Sequence, residues 1–184
     1  MSGFASAFHF FQCAIKFLPP NHWTGHYCLS LELHELASKA ALVSGNNRSF
    51  NNLSEEVLQH ATCFEDKLNI NYIIMSSLVL TPKILEALEM GRAILKRLGE
   101  AIPTNPSDEN LDEHIKCTQA MIKGMSEENL LNHKMMTDTI SLRKMKFLAK
   151  TASIAVLMKP DLHPFITLKM VQLTIIHGMS MNAI

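Results

Sequence analysis

The sequence predicts an all-α protein of about nine helices, arranged as antiparallel helix pairs in a right-handed α-solenoid. Three observations predict it. Apolar residues recur with a period near 3.6 in almost every segment, and strand-like alternation is absent. Gly, Pro and Ser/Thr/Asp stand at the ends of those periodic runs, where helices start and stop. Finally, AIKFLPP (14–20), EEVLQHA (55–61) and AILKRLGEAIP (93–103) each look like the end of a repeat's second helix. They recur at roughly 40-residue intervals, within the range of helical-pair repeats.

The elements follow in order. Phe4–Phe17 is the first predicted helix, stopped by Pro19-Pro20. The second runs from Trp23 to Val43, with Leu29, Leu33, Leu36, Ala40 and Val43 as its inner face and Gly45 where a left-handed cap belongs. Leu53, Val57, Ala61 and Phe64 mark a third, and Asp66–Val79 a fourth. Thr81-Pro82 reads as an N-cap followed by proline at the first helical position. The helix it opens carries Ile84, Leu88, Gly91, Leu95 and Leu98 inward and ends at Gly99. Ser107-Asp108 opens the next, with Leu111, Ile115, Thr118 and Ile122 inward and Lys123-Gly124 at its end. A short helix over Ser126–His133, a long one over Thr137–Met158 and a last one over Leu162–His177, closed by Gly178, complete the series. No linker interrupts it, so residues 1–184 read as one helical-repeat segment, part of a longer solenoid.

Composition narrows the function classes. Lys+Arg and Asp+Glu balance at 17 each, which argues against a nucleic-acid groove. Apolar residues are 47% and charged ones 18%, so bulk disorder is excluded. Cys13, Cys28, Cys63 and Cys117 are irregularly spaced with no CxxC pair, the pattern of free thiols in the cytoplasm. The N-terminus lacks a basic n-region and is a poor signal peptide. The longest apolar runs, 73–80 and 151–158, fall well short of the ~20 residues a membrane span requires. No membrane partner is expected.

Candidate chemistry is sparse. His34-Glu35-Leu36-Ala37-Ser38 begins like the HExxH zinc-protease motif, but Ser38 stands where the second ligand belongs. His22 and His26 have i, i+4 spacing, and with His34 they are the candidate ligands of an alternative reading, a small helical metal-binding or enzyme bundle. The seven glycines form no phosphate-binding loop, and Gly45, Gly99, Gly124 and Gly178 read as helix caps. Gly91 lies mid-helix, where close approach of a neighbour would compensate it. No serine or cysteine has the setting of a catalytic nucleophile. Glu55-Glu56 and Glu127-Glu128 suit first helical turns better than acid–base work. Met121, Met145, Met158 and Met170 read as core fillers, and Arg143, Lys144, Lys146 and Lys150 as a solvated face. Catalytic, cofactor and metal sites are therefore all expected to be absent.

The ordered set 8–46, 53–79, 84–103, 121–138 and 159–178 resembles a known region: the tetratricopeptide-like helical segment after the AAA-type ATPase domain of very large signalling proteins. Those proteins join a Ser/Thr-kinase-like domain, the ATPase, GAF and histidine-kinase domains. The resemblance implies a scaffolding or coupling role, with a protein partner or adjacent domains as ligand, and carries no catalytic residue here. Thr81-Pro82 departs from the family's usual polar turn, and the phosphate loop, kinase motifs and sensor domains are absent. A truncated gene product or detached piece is the corresponding expectation. Both end helices, with Phe4, Phe8, Phe10, Phe11 and Ile15 at the start and a Leu162–His177 helix whose only charged residue is Lys169, are expected to expose apolar surface and to self-associate.

Overall fold

The structure, a computed structural model, describes residues 3–106, 108–126, 128 and 132–180. Among the described residues the protein is all-α, with nine α-helices and no strand. They are α1 (Gly3–Lys16), α2 (His22–Gly25), α3 (Tyr27–Val43), α4 (Asn47–His60), α5 (Leu68–Val79), α6 (Ile84–Arg97), α7 (Asp108–Lys123), α8 (Thr139–Met158) and α9 (His163–His177). Short 3-10 turns, Glu65–Lys67 and Pro160–Leu162, lead into α5 and α9. The short helix expected over Ser126–His133 lies largely outside the described residues, as does Ser107. No helix among the described residues is long and apolar enough to cross a membrane. The chain divides into two compact units, Met1–Ser77 and Leu78–Ile184.

In the first unit α1 and α4 both pack on α3. Their core gathers Phe8, Ala40, Ala41 and Phe50, with Phe11, Leu53, Ile73 and Ile74 around it. The α3/α4 connection is a Schellman closure: Asn46 N–H reaches back to Ala41 O at 2.9 Å and Gly45 N–H to Leu42 O at 3.1 Å. Gly45 takes the left-handed φ of 77° that this closure requires. Asn46 then caps α4, its Oδ1 accepting from Ser49 N–H at 3.1 Å.

Two expectations are corrected in this unit. The helix predicted over Trp23–Val43 breaks at His26, whose φ of −137° and ψ of 45° are not helical. The inner face of α3 is also rotated. Leu29, Leu36 and Val43 are exposed, and Ser30, His34, Ala37, Ser38 and Ala41 are buried instead. Small residues let two helices approach α3 closely, and the polar ones meet their hydrogen bonds inside the helix. Ser30 Oγ donates to His26 O (2.9 Å) and Ser38 Oγ to His34 O (2.7 Å). Burial of these hydroxyls therefore leaves no unmet donor.

In the second unit α6 packs on α8, α8 on α9, and α9 on α7. Leu88, Leu95, Met145, Phe147, Leu148, Ile154 and Ile166 are fully buried, an ordinary aliphatic and aromatic interior. Glu100, just past α6, accepts from Lys144 on α8 at 3.0 Å and Lys169 on α9 at 3.4 Å. Asp138 caps α8 by accepting from Ser141 N–H at 2.8 Å, and bonds to Ser141 hold its carboxyl below the usual range. Helix α6 starts at Ile84, later than Thr81-Pro82 suggests; Thr81 Oγ1 donates to Leu78 O at 2.8 Å and accepts from Lys83 N–H at 3.3 Å, one residue ahead of the helix. Gly99 (φ 87°) and Gly178 (φ 108°) are left-handed, as Gly45 is, but Gly124 is not. A side chain at Gly178 would run into the Lys134 carbonyl, where Met136 N–H bonds Met179 O at 2.8 Å and Met179 N–H bonds Lys134 O at 2.8 Å. The basic cluster on α8 is not a solvated face. Its four members are half-buried, and burial pushes the Lys150 ammonium below its ordinary range.

Candidate functional site

The most chemically dense place in the molecule lies in the first unit, where α2, α3 and α4 meet around Trp23. The break at His26 makes it. Because the chain turns there, His22 and Trp23 fold back over α3 rather than continuing its axis. Ser30 Oγ donates into the carbonyls of both His22 (3.0 Å) and His26 (2.9 Å), tying the turn to the helix. With that hydroxyl hydrogen committed, the 2.9 Å contact between His22 Nδ1 and Ser30 Oγ assigns Nδ1 as the donor.

Four aromatic rings then gather. His22 stacks on His34 with centroids 5.6 Å apart and 11° between planes. Trp23 lies tilted against His34 at 4.8 Å and stacks flat on His60 at 4.8 Å and 8°. Its indole N–H donates to Glu56 Oε1 at 3.3 Å. The same Oε1 lies 3.4 Å from Nε2 of His34, a ring with no exposure to solvent. Burial, then the neighbouring His34, hold the His22 imidazole below the ordinary histidine range; Glu56 works the other way and His60 adds to the lowering. Outside, Glu56 and His60 line an open hollow of about 330 Å³ on α4, with Asn52, Glu55 and Gln59. Tyr27 secures one side, donating to Asp66 Oδ2 at 2.6 Å and accepting from Thr62 N–H at 2.9 Å.

The structure thus brings His22 and His34 together and leaves His26 out, exposed beyond the break. Its i, i+4 relation to His22 counts only on an unbroken helix. Glu56 and His60 were missed because they come from another helix, with no local signal to link them to His34. Ser30 and Ser38, four residues either side of His34, were the legible trace of a polar buried face. Among the described residues no three His, Cys, Asp or Glu side chains are grouped to hold a metal ion. The four cysteines are free thiols, three of them exposed. Ser38, in the position of the second zincin histidine, spends its hydroxyl on the His34 carbonyl.

A second hollow, of about 400 Å³, lies in the other unit beside Arg92, Lys96 and residues 101–104. Arg92 is engaged there by Glu89 at 2.8 Å and Thr104 at 2.8 Å. Compared with protein families, with curated proteins and with solved structures, the chain finds no match in any of the three.

Proposed function

We propose that the chain is a non-catalytic helical-repeat interaction module. It forms a section of right-handed, tetratricopeptide-like α-solenoid in the cytoplasm, coupling the domains of a large signalling protein of the kinase-like, ATPase, GAF and histidine-kinase type or gripping a protein partner. Support comes from tightly closed helix pairs, from the ordered resemblance, and above all from the apolar surface of the end helices. Phe10 and Phe17 of the first segment are 71% and 88% exposed. Val171 and Ile176 on α9 are also exposed. Single exposed apolar residues are ordinary, but large aromatics repeated on one short segment suit a covering surface.

The test is sedimentation velocity on the purified chain over a range of concentrations. The module reading expects reversible association, lost in the double variant Phe10→Ser, Phe17→Ser with helix content unchanged. A folded wild-type chain that stays monomeric throughout, and also captures no protein from its own cells, counts against it.

A further inference from the structure

The three buried polar residues of α3 meet every hydrogen-bonding need but one. His34 Nδ1 lies 2.7 Å from the Ser30 carbonyl oxygen, which can only accept, so Nδ1 carries the proton of the neutral ring. Nε2 is left with a lone pair. It is buried without a hydrogen-bond partner, and the atom facing it at 3.4 Å is Oε1 of Glu56, another acceptor. Trp23 N–H already donates to that oxygen and offers nothing to Nε2.

We propose that His34 and Glu56 form an acid-operated latch across the α3/α4 hairpin. A proton taken from water settles on Nε2, converting two opposed acceptors into an imidazolium–carboxylate hydrogen bond, and its departure opens the contact again. The carboxylate is 41% exposed at the hollow on α4, which gives protons a way in. This inference is independent of what the module binds.

The surroundings permit one added charge. Of the elements packed on α3, α2 contributes His22 and α4 contributes Glu56, with His60 beyond the Trp23 ring. His9, Cys13 and Lys16 on α1 and Glu32, Glu35 and Lys39 on α3 are further titratable groups on the packed elements. His22, stacked on His34, is held toward its neutral form, so the stack does not carry two cations.

The signs of the two histidines differ. The unfolded chain has no carboxylate held against Nε2, so the latch adds stability only while that nitrogen is protonated, and the addition is lost as pH rises. His22 resists protonation when folded, so its stabilisation is present above the ordinary histidine value and lost as pH falls. Glu56→Gln separates them. The neutral amide at that one position serves either the Trp23 N–H or Nε2 and cannot form the imidazolium–carboxylate pair, so the charged contact is removed while His22 is retained.

The experiment is urea unfolding of the intact chain, wild type beside Glu56→Gln, from about pH 8 to about pH 5.5. The ratio of wild-type to variant folding constants should rise about tenfold as pH falls, equivalent to about 1.4 kcal/mol of proton-dependent contact. Parallel profiles overturn the latch. Nitrogen-15 NMR of the wild-type histidine rings gives a second reading: Nδ1 of His34 stays protonated while Nε2 gains a proton across this range. A folded chain at pH 5.5 with Nε2 still bare overturns the proposal even if the variant does not fold.

Discussion

Helix α3 buries Ser30, His34, Ala37, Ser38 and Ala41, whereas α8 buries Met145, Phe147, Leu148, Ile154 and Ala155. Helix α3 packs against α1, α2 and α4, and α8 against α6 and α9. In α8 the interior is mostly volume, long side chains removed from water and contributing roughly 1.5–3 kcal/mol each, although Ser141 and Thr151 are buried with them and Thr151 Oγ1 donates to Phe147 O at 2.7 Å. In α3 it is close approach plus direction, since small residues bring the neighbours near and each polar atom needs its partner at the right angle. The comparison teaches that a buried helix face need not be the most hydrophobic face. It can be a face whose hydroxyls find carbonyl partners one turn back, as those of Ser30 and Ser38 do.

The largest expected effect lies on the volume side. Phe147→Ala should cost about 4 kcal/mol of stability in denaturant unfolding, from lost burial plus the cavity it leaves. Ser38→Ala should cost about 1 kcal/mol or less, since hydroxyl and partner carbonyl stay within the helix's own turn. Equal losses at the two sites would erase the distinction between the helices.

Helix ends sharpen it next. Gly45 and Gly178 both adopt positive φ, but a Cβ at Gly45 meets nothing within 4 Å while one at Gly178 meets the Lys134–Met136 backbone. Gly45→Ala should therefore cost about 1 kcal/mol, the left-handed penalty alone. Gly178→Ala should cost about 3 kcal/mol, because backbone must also move. The order of the two thermal midpoints checks this.

The caps give effects on the scale of Gly45→Ala. Asn46→Ala should remove about 1 kcal/mol at any pH, because the amide does not titrate. The Asp138 cap differs, since hydrogen bonds to Ser141 hold its carboxyl below the ordinary value. Its contribution is present above the unfolded aspartate range and fades as pH falls through it. Melting Asp138→Asn beside wild type at neutral and acid pH should show a gap that narrows on acidification.

Much of the fold was legible in particular residues. Gly45, Gly99 and Gly178 announce left-handed closures, because only glycine is comfortable there, and each of the three ends a helix. Gly124 does not follow them: its N–H simply continues the helical pattern to Ala120 O at 3.1 Å. The break at His26 escaped the periodicity, since the hydrogen bonds to either side, His26 N–H to His22 O and Ser30 N–H to His26 O, persist at 2.9 Å through it. The rotation of α3 escaped as well, because a hydropathy stripe ranks leucine above serine and cannot see an i−4 carbonyl waiting for a hydroxyl. For the candidate site, His22 and His34 could be named from sequence, but Glu56 and His60 reach them only through tertiary packing.

Trp23 is the chain's only tryptophan, and it is clasped between His60 and His34. The protein therefore carries its own optical gauge at the junction of α2, α3 and α4. Imidazolium quenches indole emission far more strongly than neutral imidazole does, so fluorescence intensity tracks protonation of the rings around Trp23. Its wavelength independently tracks whether the turn at His22–Gly25 has lifted away and let water reach the indole. One unlabelled sample read at two emission parameters thus separates a proton arriving from a helix departing.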